Sequence, residues 1–579
     1  MSLQLCRVIR RRSRCTLALL ATACATPHAP PAPAAPAAPP GFDIVIERGR
    51  IVDGTGAAWF EGDIGIRGDR IAVVTRPGLL AGAPARERID ARGLVVAPGF
   101  IDIQGQSAFQ LLRGDGRVIG KVAMGVTTEI LGEGSTPAPV SAAMVAGIPA
   151  ADGTRGEFAR RYATPRGFDR WLRDMEAHGI SINAGSFVGA GTLREYGMAY
   201  AQGAASAAAL DSMKGAARRA MRDGAFGIAS ALIYPPGNFA STDELVALVR
   251  ETAPFGGIYI THMRSEGDQL LEAVDEAVRI GREGGVPVEI YHLKASGIRN
   301  WAKGRAVIAK IDSIRATGLD VQADMYPYTA GGTGLTACLP PWSEADGKLF
   351  ANLADPAVRT KIRAEIEHQT FAWESLCELG TPAGVLIAQL RNPAVAQYGG
   401  KRLSEIAGAM HKDWIDAAMD LILAEHSRVE TMFFLMDEAN VRLNLTQPWI
   451  KIGTDASGLD PDSARGLAHP RAYGTYARIL GKYVRDEHLL TLEDAVRKFT
   501  SAVATRLAIP DRGLIKPGMM ADITIFDAAT IAERATYEQP HQLATGVRHV
   551  FVNGVAVWRD GRHTGARPGR ALRGPGYQP

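Results

Sequence analysis

Residues 257–292 read GIYITHMRSEGDQLLEAVDEAVRIGREGGVPVEIYH. The first six and the last six residues are short strand-like runs, and each run ends in a histidine. Between them, apolar residues recur at helical spacing and stop at Gly284-Gly285. A strand, a helix and a second strand in this order are typical of a βα unit in a parallel sheet. The stretch therefore predicts an α/β fold with histidines at strand ends.

Similar strand-like runs alternate with amphipathic helical stretches along the middle of the chain. Eight candidate strands lie near residues 95–104, 127–132, 182–188, 224–230, 257–262, 287–292, 320–326 and 449–455. Eight βα units predict a (β/α)8 barrel of the TIM type. The last two candidates are more than 120 residues apart. Residues of about 335–441 are therefore predicted to form a helical insertion over the barrel mouth, before the last barrel strand.

The two ends of the chain share a different texture, with short β-branched strands separated by Gly and Asp. One such segment covers residues 42–96 and the other covers residues 506–570, on either side of a barrel predicted over residues 97–505. Two strand-rich ends around a long middle predict that both segments join in one small β-sandwich.

The first 24 residues resemble an export leader. Five arginines precede an apolar run from Leu17 to Ala23, and small residues surround the expected cleavage site. Leu20-Ala21-Thr22-Ala23-Cys24 resembles a lipobox, which predicts lipidation of Cys24, whereas an ordinary secretory cleavage is the alternative. Residues 25–41 are rich in Ala and Pro and are predicted to be an extended linker. We therefore expect an exported, periplasmic protein, either soluble or anchored to the membrane through Cys24.

Composition and charge exclude several classes of protein. The chain is 46% hydrophobic, 22% charged and 7% aromatic, unlike a mostly disordered, fibrous or multi-span membrane protein. The formal charge of +4 arises in the leader, because removing its five arginines leaves 60 basic against 61 acidic residues. No basic cluster interleaved with aromatics follows, so we predict no nucleic-acid partner. After the leader only Cys338 and Cys377 remain, and the sequence leaves their pairing open.

Polar residues at the ends of the predicted strands indicate the chemistry, since barrel enzymes place their active sites at the carboxyl ends of strands. His262 and His292 end two runs, Asp455 ends the last, and Glu133 lies just beyond another. Imidazole nitrogens and carboxylate oxygens are zinc ligands, and a carboxylate beside activated water can act as a general base. The pattern predicts a zinc site with a catalytic role for Asp455. The alternatives are hydrogen-bonded structural histidines and a helix N-cap at Asp455.

Several motifs in order resemble those of the N-acyl-D-amino-acid deacylases (D-aminoacylases), a family of the metal-dependent amidohydrolase superfamily. The resemblance covers essentially residues 42–570. The motifs are APGFID at 97–102, MGVTTEILGEG at 124–134, DGAFGIASALIYPPG at 223–237, YITHMRSEG at 259–267, YHLKASG at 291–297, DMYPY at 324–328, IGTDASGL at 452–459, HPRAYGTYARILG at 469–481 and DRGLIKPGMMADITIFD at 511–527.

The resemblance implies a barrel with a small β-sandwich, zinc at the barrel mouth, and hydrolysis of the acyl amide bond of a small N-acyl-D-amino acid. It implies that His262 and His292 bind zinc and that Asp455 passes a proton from water to the leaving amine. It also implies that Arg471 binds the substrate α-carboxylate, unless it forms a structural ion pair. Lys294 and Tyr326 are implied to make polar contacts with the substrate carboxylate or carbonyl.

The chain departs from the family in two places. Where members usually have a His-x-His pair on the first strand, this chain has Gln104-Gly105-Gln106. A neutral amide is a poor zinc ligand, so a second metal should be greatly weakened here, and we expect one zinc ion per chain. In place of a cysteine ligand in a GNCG-like turn, the chain has Gly132-Glu133-Gly134. Glu133 is either the third zinc ligand or an outer or helix-capping carboxylate.

Three interpretations follow from these departures. In the favoured one, a single zinc activates water and Gln104 and Gln106 donate hydrogen bonds to water or to the scissile carbonyl. In the second, the same fold hydrolyses another amide, such as a cyclic imide or a D-residue-containing peptide. In the third, the barrel is a pseudo-enzyme that binds a ligand without turnover. The retention of His262, His292 and Asp455 favours an adapted active site.

Overall fold

Parallel strands form a barrel at the centre of the computed structural model, which describes residues 41–148, 153–368, 370 and 372–579. Within these residues, barrel strands one to eight are Phe100–Asp102, Val126–Leu131, Asn183–Ser186 with Val188–Gly189, Gly227–Ala231, Ile258–His262, Val288–Ile290, Val321–Met325 and Ile450–Ile452. Consecutive strands from one to eight pair in parallel. Strand two pairs with Asn183–Ser186 and strand four pairs with Val188–Gly189, the two halves of strand three. The structure places a barrel strand within or across each candidate, and the first candidate also contains Val95–Pro98 of another sheet.

The barrel closes between its first and last strands, just beyond their carboxyl ends. The Asp455 N–H donates to the Gln104 carbonyl at 2.8 Å, and the Gln106 N–H donates to the Ala456 carbonyl at 3.1 Å. These bonds place the side chains of Gln104, Gln106 and Asp455 at the same point of the barrel rim.

The helix between barrel strands five and six spans Leu270–Gly284, with Leu270, Val274 and Val278 facing the core. It ends where Gly285 adopts a left-handed conformation (φ 73°), as is usual for glycine after a helix. The helices of the barrel region are Ala108–Leu112, Ile119–Ala123, Ala142–Gly147, Gly153–Tyr162, Gly167–His178, Ala190–Met198, Ala207–Arg222, Thr242–Arg250, Leu270–Gly284, Lys303–Ala316, Glu438–Leu445, Arg471–Arg478 with π-helical Ile479–Asp486, Leu492–Phe499 and Ser501–Arg506.

The two ends of the described chain meet in one mixed sheet. Its nine described strands follow the order Arg562–His563, Val555–Arg559, Val547–Val552, Ile523–Phe526, Val95–Pro98, Phe42–Ile51, Phe60–Arg67 and Arg70–Thr75, with Ala85–Asp90 also paired to Phe42–Ile51. Val95–Pro98 pairs antiparallel with Ile523–Phe526, which joins the two segments. Buried isoleucines of both segments, including Ile46, Ile64 and Ile523, pack together on this sheet. The two layers of a β-sandwich stay a prediction.

The segment between barrel strands seven and eight combines helices with a small antiparallel sheet. The helices are Leu349–Ala354, Pro356–Glu367, Leu376–Leu379, Leu403–Met410 and Trp414–Glu425, and the strands are Ala330–Gly334, Val385–Gln389 and Glu430–Phe434. The prediction of a helical insertion thus missed these strands, because VLIAQ and ETMFF are short apolar runs that periodicity alone does not assign. A disulfide joins Cys338 to Cys377 within the core of this segment.

The predicted leader, residues 1–24, and almost all of the predicted linker, residues 25–41, lie outside the described residues, as does Cys24. Among the helices of the described part, none combines the length and the apolar character that crossing a bilayer requires.

Candidate metal centre

Each predicted metal ligand is presented by the end of a barrel strand. Glu133 follows strand two by two residues, His262 is the last residue of strand five, and His292 follows strand six by two residues. The His292 backbone is left-handed (φ 35°), and its N–H donates to Asp324 Oδ1 at 2.8 Å. Non-glycine residues in this region cost about 1–3 kcal/mol and cluster at functional sites. Strand ends and one strained residue therefore direct the three side chains inward.

The three side chains converge on one point. Glu133 Oε1 lies 3.2 Å from His262 Nδ1 and 3.2 Å from His292 Nε2. One ligand atom from each residue lies within 4.8 Å of the other two, and both imidazoles are buried. Two imidazoles and a carboxylate, with the fourth direction left for water, are a donor set of catalytic zinc sites. The residues present therefore fit a zinc ion.

Both glutamines that replace the expected histidines bind Glu133. Gln104 Nε2 donates to Glu133 Oε2 at 2.8 Å, and Gln106 Nε2 donates to the same oxygen at 2.7 Å. The carboxylate is a charged acceptor within reach of both amides, and each bond uses one of the two N–H groups of its amide. Donation of the second N–H to water or to the scissile carbonyl stays a prediction. The two bonds occupy Oε2 and leave Oε1 facing the two histidines.

A carboxylate that the sequence analysis missed, Glu266, lies behind His292. Its Oε1 is 3.0 Å from His292 Nδ1 and 2.6 Å from Lys294 Nζ. Burial opposes ionisation, but Lys294 and the two imidazoles hold the pKa of Glu266 well below its usual range. Lys294 Nζ also lies 2.7 Å from His292 Nδ1, so this predicted substrate contact is already engaged with the metal site. The signal in the sequence is the position of Glu266, four residues after His262.

The same carboxylates act on the His292 ring. Burial and Lys294 lower its pKa, but Glu266 and Glu133 outweigh both and raise the pKa of His292 to about 10. Hydrogen bonds from the two imidazoles likewise lower the pKa of Glu133 against the effect of its burial. Metal binding requires a neutral imidazole, so the affinity of this cluster for a metal should depend on pH.

Asp455 lies beside this cluster and pairs with Arg471. Its Oδ2 is 2.8 Å from Arg471 Nη1, and its Oδ1 is 3.4 Å from Gln106 Nε2. Burial raises the pKa of Asp455, Arg471 partly offsets that rise, and Glu133 adds to it. A carboxyl with a raised pKa can both accept and release a proton.

Arg471 is itself buried at the wall of a cavity. One Nη donates to the Gly332 carbonyl at 3.2 Å, and the guanidinium lies 4.5 Å above the ring of Tyr326. The ion-pair alternative for Arg471 is therefore present in the structure, with Asp455 as its partner. The predicted substrate residues Arg471, Lys294 and Tyr326 all line one cavity with Glu133, His262, His292 and Asp455.

That cavity has a volume of about 1040 Å³ and opens above the strand ends. Its lining includes Tyr234, whose ring lies 5.3 Å from that of His262, and Gly332 and Phe433 from the small sheet of the insertion. The space accommodates a small molecule, and the insertion forms part of its wall.

A buried polar network beneath the rim fixes the seam between the first and last strands. Asp102 accepts the N–H of Thr454 at 2.9 Å and that of Gln104 at 3.2 Å. Lys121 Nζ lies 2.5 Å from both the Asp102 carboxylate and the Thr454 hydroxyl, and all three side chains are fully buried. Thr454 precedes Asp455, so this network sets the position of Asp455 relative to Gln104.

A parallel barrel that presents two histidines, a glutamate and an aspartate at its strand ends has the site and the donor set of a metal-dependent hydrolase. A family model described as an amidohydrolase family matches residues 378–558. D-aminoacylase of Alcaligenes xylosoxydans xylosoxydans is 35% identical over 532 residues, which cover 92% of this chain and 97% of that protein. The chain belongs to the D-aminoacylase family, the N-acyl-D-amino-acid deacylases.

Two solved structures are similar to this chain over nearly its whole length. A structure of N-acyl-D-glutamate deacylase from Bordetella bronchiseptica, complexed with zinc and a phosphonate mimic of the tetrahedral intermediate, has 30% identity and a TM-score of 0.75. A D-aminoacylase structure has 34% identity and a TM-score of 0.76. Its description concerns the functional role of a binuclear metal centre, with one-metal activation and second-metal attenuation. Each comparison covers 92% of this chain and 100% of the other.

Proposed function

We propose that this protein hydrolyses the acyl amide bond of N-acyl-D-amino acids, giving a carboxylate and a free D-amino acid. The observation that carries the proposal is the convergence of Glu133, His262 and His292 beside Asp455 in one cavity. The likeness to deacylases over 92% of the chain supports the choice of substrate.

Glu133, His262 and His292 would hold the metal, with Glu133 oriented by Gln104 and Gln106. Zinc bound there supplies Lewis-acid activation of water and of the scissile carbonyl. Asp455 takes a proton from the attacking water as the water oxygen bonds to the acyl carbon. It then delivers that proton to the amine nitrogen as the carbon–nitrogen bond breaks, which leaves a carboxylic acid and a free amine.

Arg471, Lys294 and Tyr326 bind and orient the substrate in this proposal. Arg471 offers paired N–H donors that suit the α-carboxylate, and it lies within reach of Asp455, so one guanidinium can serve both groups. Its stacking on the Tyr326 ring limits the freedom of its side chain. The orientation of the substrate and the protonation of the acid/base are therefore linked.

We expect Arg471→Ala to reduce kcat/KM by about 10- to 100-fold, as the loss of a hydrogen bond to a charged group predicts. The acid limb of the pH profile should also move to higher pH, because Arg471 lowers the pKa of Asp455 and its loss raises that pKa further. Steady-state kinetics between pH 5 and 9 measure both effects. Arg465→Ala at the exposed rim of the cavity is the matched control. An unchanged acid limb in Arg471→Ala would contradict the coupling to Asp455.

We further propose that each chain binds one zinc ion. Gln104 and Gln106 offer amide nitrogens to Glu133, and those nitrogens are not metal ligands. Zinc titration of metal-free protein should therefore saturate near one equivalent in activity and in bound metal, without inhibition at excess zinc. Gln104→His combined with Gln106→His should bind a second equivalent. Two equivalents bound by the unaltered protein would contradict this prediction.

The first test of the activity is amine release from a panel of N-acetyl-D-amino acids and their L-enantiomers after metal removal and stepwise zinc addition. We expect zinc-dependent, D-selective release. Turnover only of cyclic imides, followed as ring opening to the amic acid because no amine is released, or only of D-residue-containing peptides would transfer the proposal to those amides. Zinc binding without release from any amide would establish a ligand-binding protein.

Export of the protein also belongs to this proposal. The leader motifs predict it, and the Cys338–Cys377 disulfide supports it, because such bonds persist mainly in oxidising compartments such as the periplasm. Lipidation of Cys24 is proposed on the lipobox-like sequence alone. Mass spectrometry of the mature amino terminus distinguishes a lipidated Cys24 from an ordinary cleavage.

A further inference from the structure

A carboxylate from the insertion holds the loop that follows His262. Glu374 accepts hydrogen bonds from the backbone N–H groups of Glu266, Gly267 and Asp268 at 3.0, 2.9 and 3.0 Å, and from the Ser265 hydroxyl. Successive backbone N–H groups that point at one anion form a nest, which favours a negative charge. Glu374 thus fixes the backbone of the loop formed by residues 265–268. The helix Leu270–Gly284 accordingly begins after this loop.

The loop matters because it carries Glu266. The Glu266 carboxylate lies 3.0 Å from His292 Nδ1, on the side of the ring opposite to the Nε2 atom that faces Glu133. A metal-binding histidine usually donates its other N–H to such a carboxylate, which fixes the ring orientation and strengthens the ligand. A shift of the loop would therefore change how His292 presents Nε2 to a metal.

A covalent crosslink holds Glu374 in turn. Cys377, three residues later, forms the disulfide with Cys338, and both cysteines are fully buried. Ser375 lies between Glu374 and Cys377 in the sequence, and its hydroxyl donates to the Cys338 carbonyl at 3.0 Å. Cys338 closes the 3-10 turn Leu335–Cys338, which directly follows the strand Ala330–Gly334 of the cavity wall. The disulfide therefore ties the Glu374 segment to that wall.

We propose that Glu374 is a positioning residue for the metal centre, which holds loop 265–268 so that Glu266 meets His292, and that the Cys338–Cys377 crosslink keeps Glu374 in place. The inference rests on the proposed metal-binding role of His292. It assigns a role in the active site to the insertion and to two cysteines that the catalytic proposal does not use.

The test is the zinc affinity of the full chain carrying Glu374→Ala or Glu374→Gln, measured by competition with a chromophoric chelator. We expect Glu374→Ala to weaken zinc binding about tenfold or more, as the loss of outer partners of metal ligands does. Glu374→Gln keeps the size of the side chain and one acceptor oxygen, so it should fold and show a smaller loss. Glu367→Gln, on an exposed carboxylate of the same insertion, is the matched control.

Cys338→Ala combined with Cys377→Ala should weaken zinc binding in the same direction. Adding Glu374→Ala to this pair should cause little further loss, because both changes release the same loop. Zinc affinity within twofold of the parent in the Glu374 variants, with only a lower Tm of the metal-free protein, would show a structural role and overturn the proposal. A parent protein without zinc affinity would instead overturn the proposed function on which the inference rests.

Discussion

Replacement of Asp455 by asparagine is expected to lower kcat by about 10²- to 10⁴-fold, the contribution that a positioned acid/base makes. Asparagine keeps the size of the side chain but cannot take a proton from water or return one to the leaving amine. Asp455 is outside the proposed ligand set, so the variant should bind zinc as the parent does. Single-turnover kinetics and metal analysis of the same sample measure the two quantities.

Asp462→Asn is the control for Asp455→Asn, because it is an exposed aspartate on the same loop after barrel strand eight. It should retain the parent kcat. Retention of more than a tenth of kcat by Asp455→Asn would assign the proton transfer to another group. Loss of zinc from Asp455→Asn would show instead that Asp455 is part of the metal site.

The second large effect is expected for Glu133→Gln. This change keeps the shape of the side chain but replaces the charged oxygen by a neutral amide, which is a poor zinc ligand. It also removes the charged acceptor that Gln104 and Gln106 share. We expect zinc affinity to fall by more than about 100-fold, the upper end of what the loss of an outer partner causes. Activity at limiting zinc should fall in parallel.

Chelator competition and differential scanning calorimetry together separate ligand loss from unfolding in Glu133→Gln. The metal-free variant should unfold at a lower temperature than the metal-free parent, because buried donors lose their charged acceptor. Added zinc should raise the Tm of the parent alone. Glu430→Gln, which removes a partner of Arg428 on the insertion sheet, is the matched control. If Glu133→Gln binds zinc as tightly as the parent, Glu133 is an outer carboxylate, the alternative that the sequence allows.

The residues at strand ends could be predicted because a parallel barrel fixes where they lie. His262, His292 and Asp455 each follow an apolar run, and the carboxyl ends of such strands meet at one rim. The family resemblance added Arg471, Lys294 and Tyr326, all of which line the cavity. Pattern and resemblance together thus placed the proposed ligands and the acid/base at one location.

Contacts between distant segments could not be predicted in this way. Glu374 approaches loop 265–268 only because the insertion folds over the barrel mouth, and no periodicity records that approach. Glu133 as the hydrogen-bond partner of Gln104 and Gln106 could not be predicted for a similar reason, since this charged acceptor is close to the two amides only in the folded chain. The Cys338–Cys377 pairing likewise follows from the fold of the insertion rather than from the cysteine spacing.

The mixed sheet that joins the two ends of the described chain has a consequence for the order of folding. Val95–Pro98 leads directly into barrel strand one, yet its neighbour Ile523–Phe526 is synthesised only after the whole barrel. Barrel strand one must also wait for strand eight before the rim at Gln104 and Asp455 can close. Contacts between such remote segments form slowly, because a long loop must be ordered first. The active site should therefore be among the last parts of the molecule to assemble, and until then a nascent chain carries an open edge on Val95–Pro98, which is paired on its other side with Phe42–Ile51.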